Sequence, residues 1–246
     1  MDKDNDVTAQ TAFVTGADRG LGLALVAGLL ARGWRVFAGQ YQPAWPELGA
    51  LASRFPTTLH LVPLDVTAVE SAGAAAHAVS ATVDHLDVLI NNAGVTTPTS
   101  ARAIREPQDY AEMQRVYDVN ALGPLRVVEA FLPLTDRSAL KRLCFVSSEA
   151  GSIARSTRIQ DYGYCMSKAA LNMATKILFN HLHPAGYTFR VYHPGWIRSY
   201  MSGSKATVGD LEPEEAAVPA LAYFLPSRAD EDRLVLRDWL GREWPW

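Results

Sequence analysis

The sequence predicts an α/β fold: a doubly wound, mostly parallel sheet of seven strands with helices on both faces. Three observations predict it. Short apolar or β-branched runs alternate with longer helical stretches. Glycines follow the first run and lead straight into a helix. Polar residues of the kind that hold ligands cluster just after the runs, where the carboxyl ends of parallel strands lie.

In chain order, residues 12–15 read as the first strand, and residues 20–32 as a helix with Gly33 at its C-cap. Residues 35–38 and 59–62 are the second and third strands, followed by an alanine-rich helix over 68–82. Residues 86–90 form the fourth strand, 109–132 a long helix and 142–146 the fifth strand. A helix over 164–182 precedes the sixth strand at 188–192. Residues 213–225 are helical, and 233–236 make a short seventh strand. This alternation implies right-handed crossovers. No repeat, low-complexity stretch or linker interrupts it, so residues 1–246 read as one domain with residues 1–10, polar and acidic, as a flexible leader.

Composition excludes several classes. A chain of 246 residues, 48% apolar, can bury a sizeable core. Its 23 basic and 26 acidic residues are spread along the chain, with no basic block, so a nucleic-acid partner is not expected. The longest apolar run, residues 21–30, holds two glycines and is too short to span a bilayer; with no signal segment before it, a cytoplasmic protein is expected. Cys144 and Cys165 stand apart from any Cys-x-x-Cys or Cys/His cluster, so neither a disulfide scaffold nor a metal site is expected.

Two motifs carry chemistry. Gly16-Ala17-Asp18-Arg19-Gly20-Leu21-Gly22 follows the first strand and opens a helix, whose unpaired N–H groups and positive dipole end suit a pyrophosphate. After the second strand, where NAD-binding folds keep an acid for the ribose, the chain reads Ala38-Gly39-Gln40-Tyr41. A neutral site tolerates a 2′-phosphate, and Arg19 can pair with it; its plainer alternative is a solvated loop arginine. NADP(H) is therefore expected over NAD(H). The second motif is Tyr164-Cys165-Met166-Ser167-Lys168, with phenol and ammonium four residues apart on one helix face. A free phenol is a poor base at neutral pH; Lys168 and an oxidised nicotinamide are expected to bring its pKa toward the working range. Tyr162, a rival phenol, has Met166 where the lysine would stand.

The glycine spacing and the Tyr-x-x-x-Lys motif resemble those of the short-chain dehydrogenase/reductase family, classical type, whose fold is Rossmann-like. The resemblance runs from about Ala12 to the C-terminus. It implies that Gly16, Arg19, Gly20, Leu21 and Gly22 hold the cofactor, with Asp65 and Val66 against the adenine. The turn Asn91-Asn92-Ala93-Gly94 then touches the adenosine side through Asn92, Ala93 and Gly94. Tyr164 is implied as proton donor or acceptor, and Lys168 as its electrostatic partner that also holds the ribose hydroxyls. Ser148, the second of the pair ending the fifth strand, is implied to bind the substrate oxygen. Asn120 is implied to bend its helix and hold a water linking Lys168 to solvent. Pro194-Gly195-Trp196-Ile197-Arg198-Ser199 is similar to the family's Pro-Gly-x-x-x-Thr segment, so Pro194, Gly195, Ile197 and Ser199 are implied to orient the nicotinamide carboxamide; serine keeps the hydroxyl and loses a methyl.

Within the family the chain is similar to the C-factor-like carbonyl reductases, through Glu149-Ala150-Gly151-Ser152-Ile153, residues 164–172 and Gly241-Arg242-Glu243-Trp244-Pro245-Trp246. Its loop after Ser148 is shorter than in that branch, and Tyr200-Met201-Ser202 replaces a more polar, glycine-rich run. Residues 153–160 are expected to loop over the pocket. Trp196, Tyr200 and Met201 either line the substrate pocket or form an apolar lid, and His193 reads as a strand-end core residue. The tail tryptophans, Trp239, Trp244 and Trp246, either dock on a neighbouring subunit or close the chain's own pocket. The leading expectation is an NADP(H)-dependent reductase of a small carbonyl substrate, or an alcohol dehydrogenase in reverse, working as a homodimer or homotetramer through the helices of Asn120 and Tyr164. The alternative is a cofactor-binding signalling or regulatory protein acting through a partner. An epimerase or dehydratase of the extended branch ranks last, because the chain lacks the large C-terminal substrate domain.

Overall fold

The computed structural model describes residues 9–97, 101–201 and 203–246. Residues 1–8, most of the expected leader, lie outside them. The first strand, β1 (Thr11–Val14), is buried along its whole length, because helices cover both faces of the sheet. Its side chains alternate between two cores. Ala12 and Val14 pack with the helices α1 (Gly20–Leu30), α2 (Pro46–Arg54) and α7 (Pro213–Phe224). Phe13 packs on the other face with α3 (Val69–Ser80), α5 (Gly123–Thr135) and α6 (Tyr162–Leu182). Leu25 and Leu29 of α1 and Val127 and Phe131 of α5 are fully buried, each contributing roughly 1.5–3 kcal/mol by its removal from water.

The remaining strands are β2 (Arg35–Gln40), β3 (Leu59–Pro63), β4 (Val88–Asn91), β5 (Arg142–Val146), β6 (Thr188–His193), β7 (Leu236–Asp238) and β8 (Glu243–Trp244). They order as β3-β2-β1-β4-β5-β6-β7-β8, parallel except for the last pair. Chain order therefore reverses between β1 and β4, which pair with each other in parallel register, Phe13 lying opposite Leu89. That reversal opens a crevice at the carboxyl ends of the strands.

Four details differ from the expected pattern. The sheet has eight strands instead of seven, because the last residues fold back as an antiparallel hairpin; the indole of Trp244 donates to Asp238 at 3.0 Å to hold it. The seventh strand sits at Leu236–Asp238 and not at 233–236, since Arg233 still belongs to a turn closed on Asp230. The helix α2 was not expected: Pro46 starts it, Gly49 interrupts its composition, and only Leu48 and Leu51 are buried, too few to print a helical period. The expected helix over 109–132 is a real one, but α4 (Tyr110–Tyr117) passes into α5 through a π-helical turn at Asp118–Leu122. Among the described residues, no helix is long and apolar enough to cross a membrane.

Candidate active site

The crevice at the strand reversal is a cleft of about 1120 Å³. At one end α1 points its N-terminus into it. Arg19, at the N-cap, provides no side-chain cap, and the first turn carries no acid, so the dipole end is left for an anionic group. Gly22 makes the turn possible: a Cβ there would stand 2.1 Å from the Gly16 carbonyl and 2.6 Å from Asn92 Nδ2. Asn92 binds the loop from beneath, donating to the Thr15 and Gly16 carbonyls at 2.9 and 3.1 Å. The Thr15 hydroxyl in turn accepts the Asn92 and Ala93 N–H groups.

Arg19 is not a free loop arginine. Its guanidinium lies 4.4 Å from the Trp45 ring centroid and 5.9 Å from that of Tyr200, and it donates to Gln42 Oε1 at 2.9 Å. Asp18, buried, accepts the backbone N–H groups of Tyr41 and Gln42, fixing the loop after β2 against the glycine turn. Thus the post-β2 stretch, which lacks an acid of its own, is organised by an acid from the glycine loop. Asp65 accepts from the Thr67 N–H and hydroxyl and lines the cleft with Val66.

The other end holds the reactive side chains. Ser148, just past β5, accepts the Ala150 N–H at 3.1 Å. Tyr164 and Lys168 rise from the start of α6, which begins at Tyr162, two residues earlier than expected. Lys168, 3% exposed, donates to the Val146 carbonyl at 2.9 Å, and burial pushes its pKa down to about 8. The Tyr164 phenol is pushed up to about 12, mainly by burial; its hydrogen bond with Ser148 pulls the other way, and the carboxylates of Asp161 and Glu149 add to the rise. The expected lowering by Lys168 is absent from the protein alone. Its ammonium lies 5.7 Å from the phenol ring centroid and is spent on a backbone carbonyl, so burial wins.

Of the catalytic and cofactor positions expected from the sequence, all but Asn120 line the cleft. Asn120 is wholly buried one layer behind, in the π-helical turn. Its amide accepts from Val95 N and donates to Val95 O, each at 2.9 Å, and donates to Ser167 Oγ at 3.0 Å. Of the loop expected over the pocket, only Arg158 reaches the cleft; it pairs with Glu149, and with Asp161 at 3.5 Å. Neither Asp18 nor Trp45 stands out in the sequence, since an Asp in a glycine loop and a tryptophan in a proline-rich connection are ordinary loop residues. Trp239 and Trp244 line the chain's own cleft and Trp246 does not. Tyr162 does not line it; its hydroxyl donates to the Ile159 carbonyl.

Comparison with known proteins agrees with this architecture. Residues 10–208 match the family model of the short chain dehydrogenases. The C-signal of Myxococcus xanthus is 40% identical over 161 residues, 65% of this chain and 93% of that protein. An uncharacterized oxidoreductase of Schizosaccharomyces pombe is 32% identical over 239 residues, 96% of this chain and 93% of the relative. A crystal structure of NADPH-bound carbonyl reductase from chicken fatty liver superposes with a TM-score of 0.84 at 32% identity, covering 97% of this chain and 99% of that one. With sequence and fold both matched across nearly the whole chain, the protein belongs to the short-chain dehydrogenase/reductase family of nicotinamide-dependent oxidoreductases.

Proposed function

We propose that the protein is an NADP(H)-dependent carbonyl reductase, or an alcohol dehydrogenase in the reverse direction, with Ser148, Tyr164 and Lys168 acting at the carbonyl and Asn120 supporting them. The observation that carries this reading is the meeting of a buried ammonium, a half-buried phenol and a hydroxyl hydrogen-bonded to that phenol at one end of a cleft. The bare N-terminus of α1 and the glycine turn fit a dinucleotide pyrophosphate at the other end. When bound, the reduced nicotinamide supplies the hydride.

The protein's own residues supply the rest. Ser148 accepts from Ala150 N and points its hydroxyl at the Tyr164 oxygen, so a substrate oxygen entering between them can take up that donated proton. Tyr164, with its pKa pushed up to about 12, is a protonated phenol at neutral pH and so is ready to give its proton to the developing alkoxide. Lys168 keeps a positive charge below about pH 8 beside that phenol, which favours the phenolate left behind. A preorganised donor at such an oxygen is worth roughly 10²–10³ in rate, and a positioned general acid roughly 10²–10⁴. Arg19, with no acid after β2 to oppose it, is the residue for a 2′-phosphate, and a similar solved carbonyl reductase binds NADPH. Exposed apolar side chains on α4, the π-helical turn and α6, among them Tyr110, Leu122, Met166, Met173 and Ile177, support assembly as a homodimer or homotetramer, which sedimentation would test.

The test is consumption of NADPH and NADH, followed by the absorbance of the reduced cofactor, against aldehydes, ketones and quinones. Turnover with NADPH favoured is the expected result. The likeness to C-signal supports the second reading, a cofactor-binding protein acting through a partner; tight NADPH binding without turnover of any carbonyl would put that reading first.

A further inference from the structure

The end of the cleft away from Arg19 is walled by aromatic rings that three separate segments bring together. His193, 7% exposed at the end of β6, meets Trp239 at 5.2 Å and Trp244 at 5.9 Å between ring centroids, edge-on in both cases. All three line the cleft, as does Trp196, which is 59% exposed although its backbone carbonyl is tied to the N–H groups of Asp210 and Leu211. A large indole left facing an open cleft from a fixed backbone is surface held ready for a ligand.

The wall is built at some cost to the fold. Asp238, buried in β7, accepts from Leu240 N, Arg242 N, Arg242 Nε and the Trp244 indole, which sets the hairpin carrying both tail indoles. The tail is then fastened over the loop after Ser148: Ser152 Oγ donates to the Pro245 carbonyl and Ala154 N to that of Trp246. Arg155 lies 4.9 Å from the Trp244 centroid and Arg242 5.8 Å from that of Trp239. Gly195 has φ +86°, and a Cβ there would come within 3.0 Å of Trp239, so the turn beside the nicotinamide end is shaped to this indole. His193 Nδ1 is buried with no hydrogen-bond partner, an unfavourable arrangement that the packing of the rings imposes. The wall therefore offers flat apolar faces, and its one polar ring is neutral.

Charge narrows the choice further. Glu149, Arg158 and Asp161 line the same region, with one guanidinium shared between two carboxylates. A substrate carboxylate would meet one arginine already shared by two acids, a local excess of negative charge.

We propose that this wall selects flat, uncharged aromatic aldehydes or ketones, received with the ring against the indoles and the carbonyl toward Ser148 and Tyr164. The proposal rests on the reductase reading above and adds the substrate class. Ring-on-ring contacts of this kind favour an aromatic over a saturated ring of equal size.

The experiment compares phenylacetaldehyde, cyclohexylacetaldehyde and 4-carboxyphenylacetaldehyde, whose carbonyls are insulated from the ring by a methylene and so are similarly reactive. Two readouts are taken on the NADPH-loaded protein: kcat/KM, and Kd from quenching of tryptophan fluorescence. The expected result is a preference of about tenfold for phenyl over cyclohexyl, carried by KM and Kd, and a similar loss for the carboxylate. In Trp244→Leu and Trp196→Leu the phenyl-to-cyclohexyl ratio should collapse toward one. A wild-type ratio near one, with all three aldehydes turned over, would overturn the proposal and leave the reductase reading intact. Binding preference without turnover would overturn the reductase reading alone. The wild-type ratios decide the matter even if a variant fails to fold.

Discussion

Lys168 Nζ lies 5.7 Å from the centroid of the Tyr164 ring, one helical turn away, and is anchored to the Val146 carbonyl at 2.9 Å. Burial moves the two groups in opposite directions, the phenol up to about 12 and the ammonium down to about 8. Carbonyl reduction needs the phenol protonated and the ammonium charged, and both conditions hold below about pH 8. The rate of reduction should therefore be level at neutral pH and fall as Lys168 loses its proton above about 8. In Lys168→Arg, whose guanidinium stays charged, any residual activity should fall only at higher pH. A pH profile of kcat/KM for both proteins checks this.

His193 links the substrate wall to acid stability. Its pKa is lowered to about 4, chiefly by burial, against 6.5 for a free imidazole. Below pH 6.5 the unfolded chain takes up a proton that the folded chain refuses until about pH 4. Stability should thus fall with acidification across that window, by up to roughly 3 kcal/mol, with no contribution from this group above it. Urea unfolding at pH 7 and pH 5 should show the loss in the wild type and a smaller one in His193→Phe.

Asn120 closes the π-helical turn onto the Val95 backbone and Ser167. Asn120→Ala would leave the Val95 N–H and C=O without these partners in the interior, a cost of roughly 2 kcal/mol or more. For a protein of this size, thermal unfolding should move down by about 4–8 °C. Because Gly94 packs beside Asn120 Oδ1 and Lys168 Nζ, kcat should fall along with stability.

Trp45 stacks on Arg19, the residue proposed for the 2′-phosphate. Arg19→Ala should raise KM for NADPH by about tenfold or more while changing that for NADH little, the loss expected for a charge-assisted contact. Trp45→Ala should shift the cofactor ratio in the same direction by a smaller factor. Equal changes for both cofactors would assign Arg19 to the shared pyrophosphate instead.

Glu231 answers two buried arginines. Arg190 donates to both of its carboxylate oxygens at 2.6 Å, and Arg142 Nη2 lies 3.3 Å away. Both guanidinium groups also bind backbone carbonyls at the end of α7 and just beyond it. Glu231→Gln would keep the shape and remove the charge, costing roughly 3–5 kcal/mol as for one partner of a buried pair. Chemical denaturation measures it, and turnover per folded molecule should stay near the wild-type value.

Much of this was legible in the sequence because strand ends and helix starts in a parallel sheet are marked by residues of restricted use. Gly22 is a glycine because Gly16 and Asn92 leave no room for a Cβ, and the Tyr164–Lys168 spacing is one turn of α6. The unread parts depend on contacts between distant segments. The helix α2 buries only Leu48 and Leu51. The β7–β8 hairpin is held by Asp238 reaching four donors, and no local pattern announces that. The balance at the phenol is likewise a property of packing: spacing places Lys168 near Tyr164, and in the protein alone burial outweighs that charge.

Single-turnover reduction of a carbonyl by Tyr164→Phe beside the wild type isolates the proposed role of Tyr164 as proton donor. NADPH affinity is measured in the same samples. Unchanged folding and near-normal NADPH binding are expected, with the chemical step slowed by roughly 10²–10⁴. A Tyr164→Phe protein that binds NADPH and reduces the carbonyl within a few-fold of the wild-type rate would contradict that role.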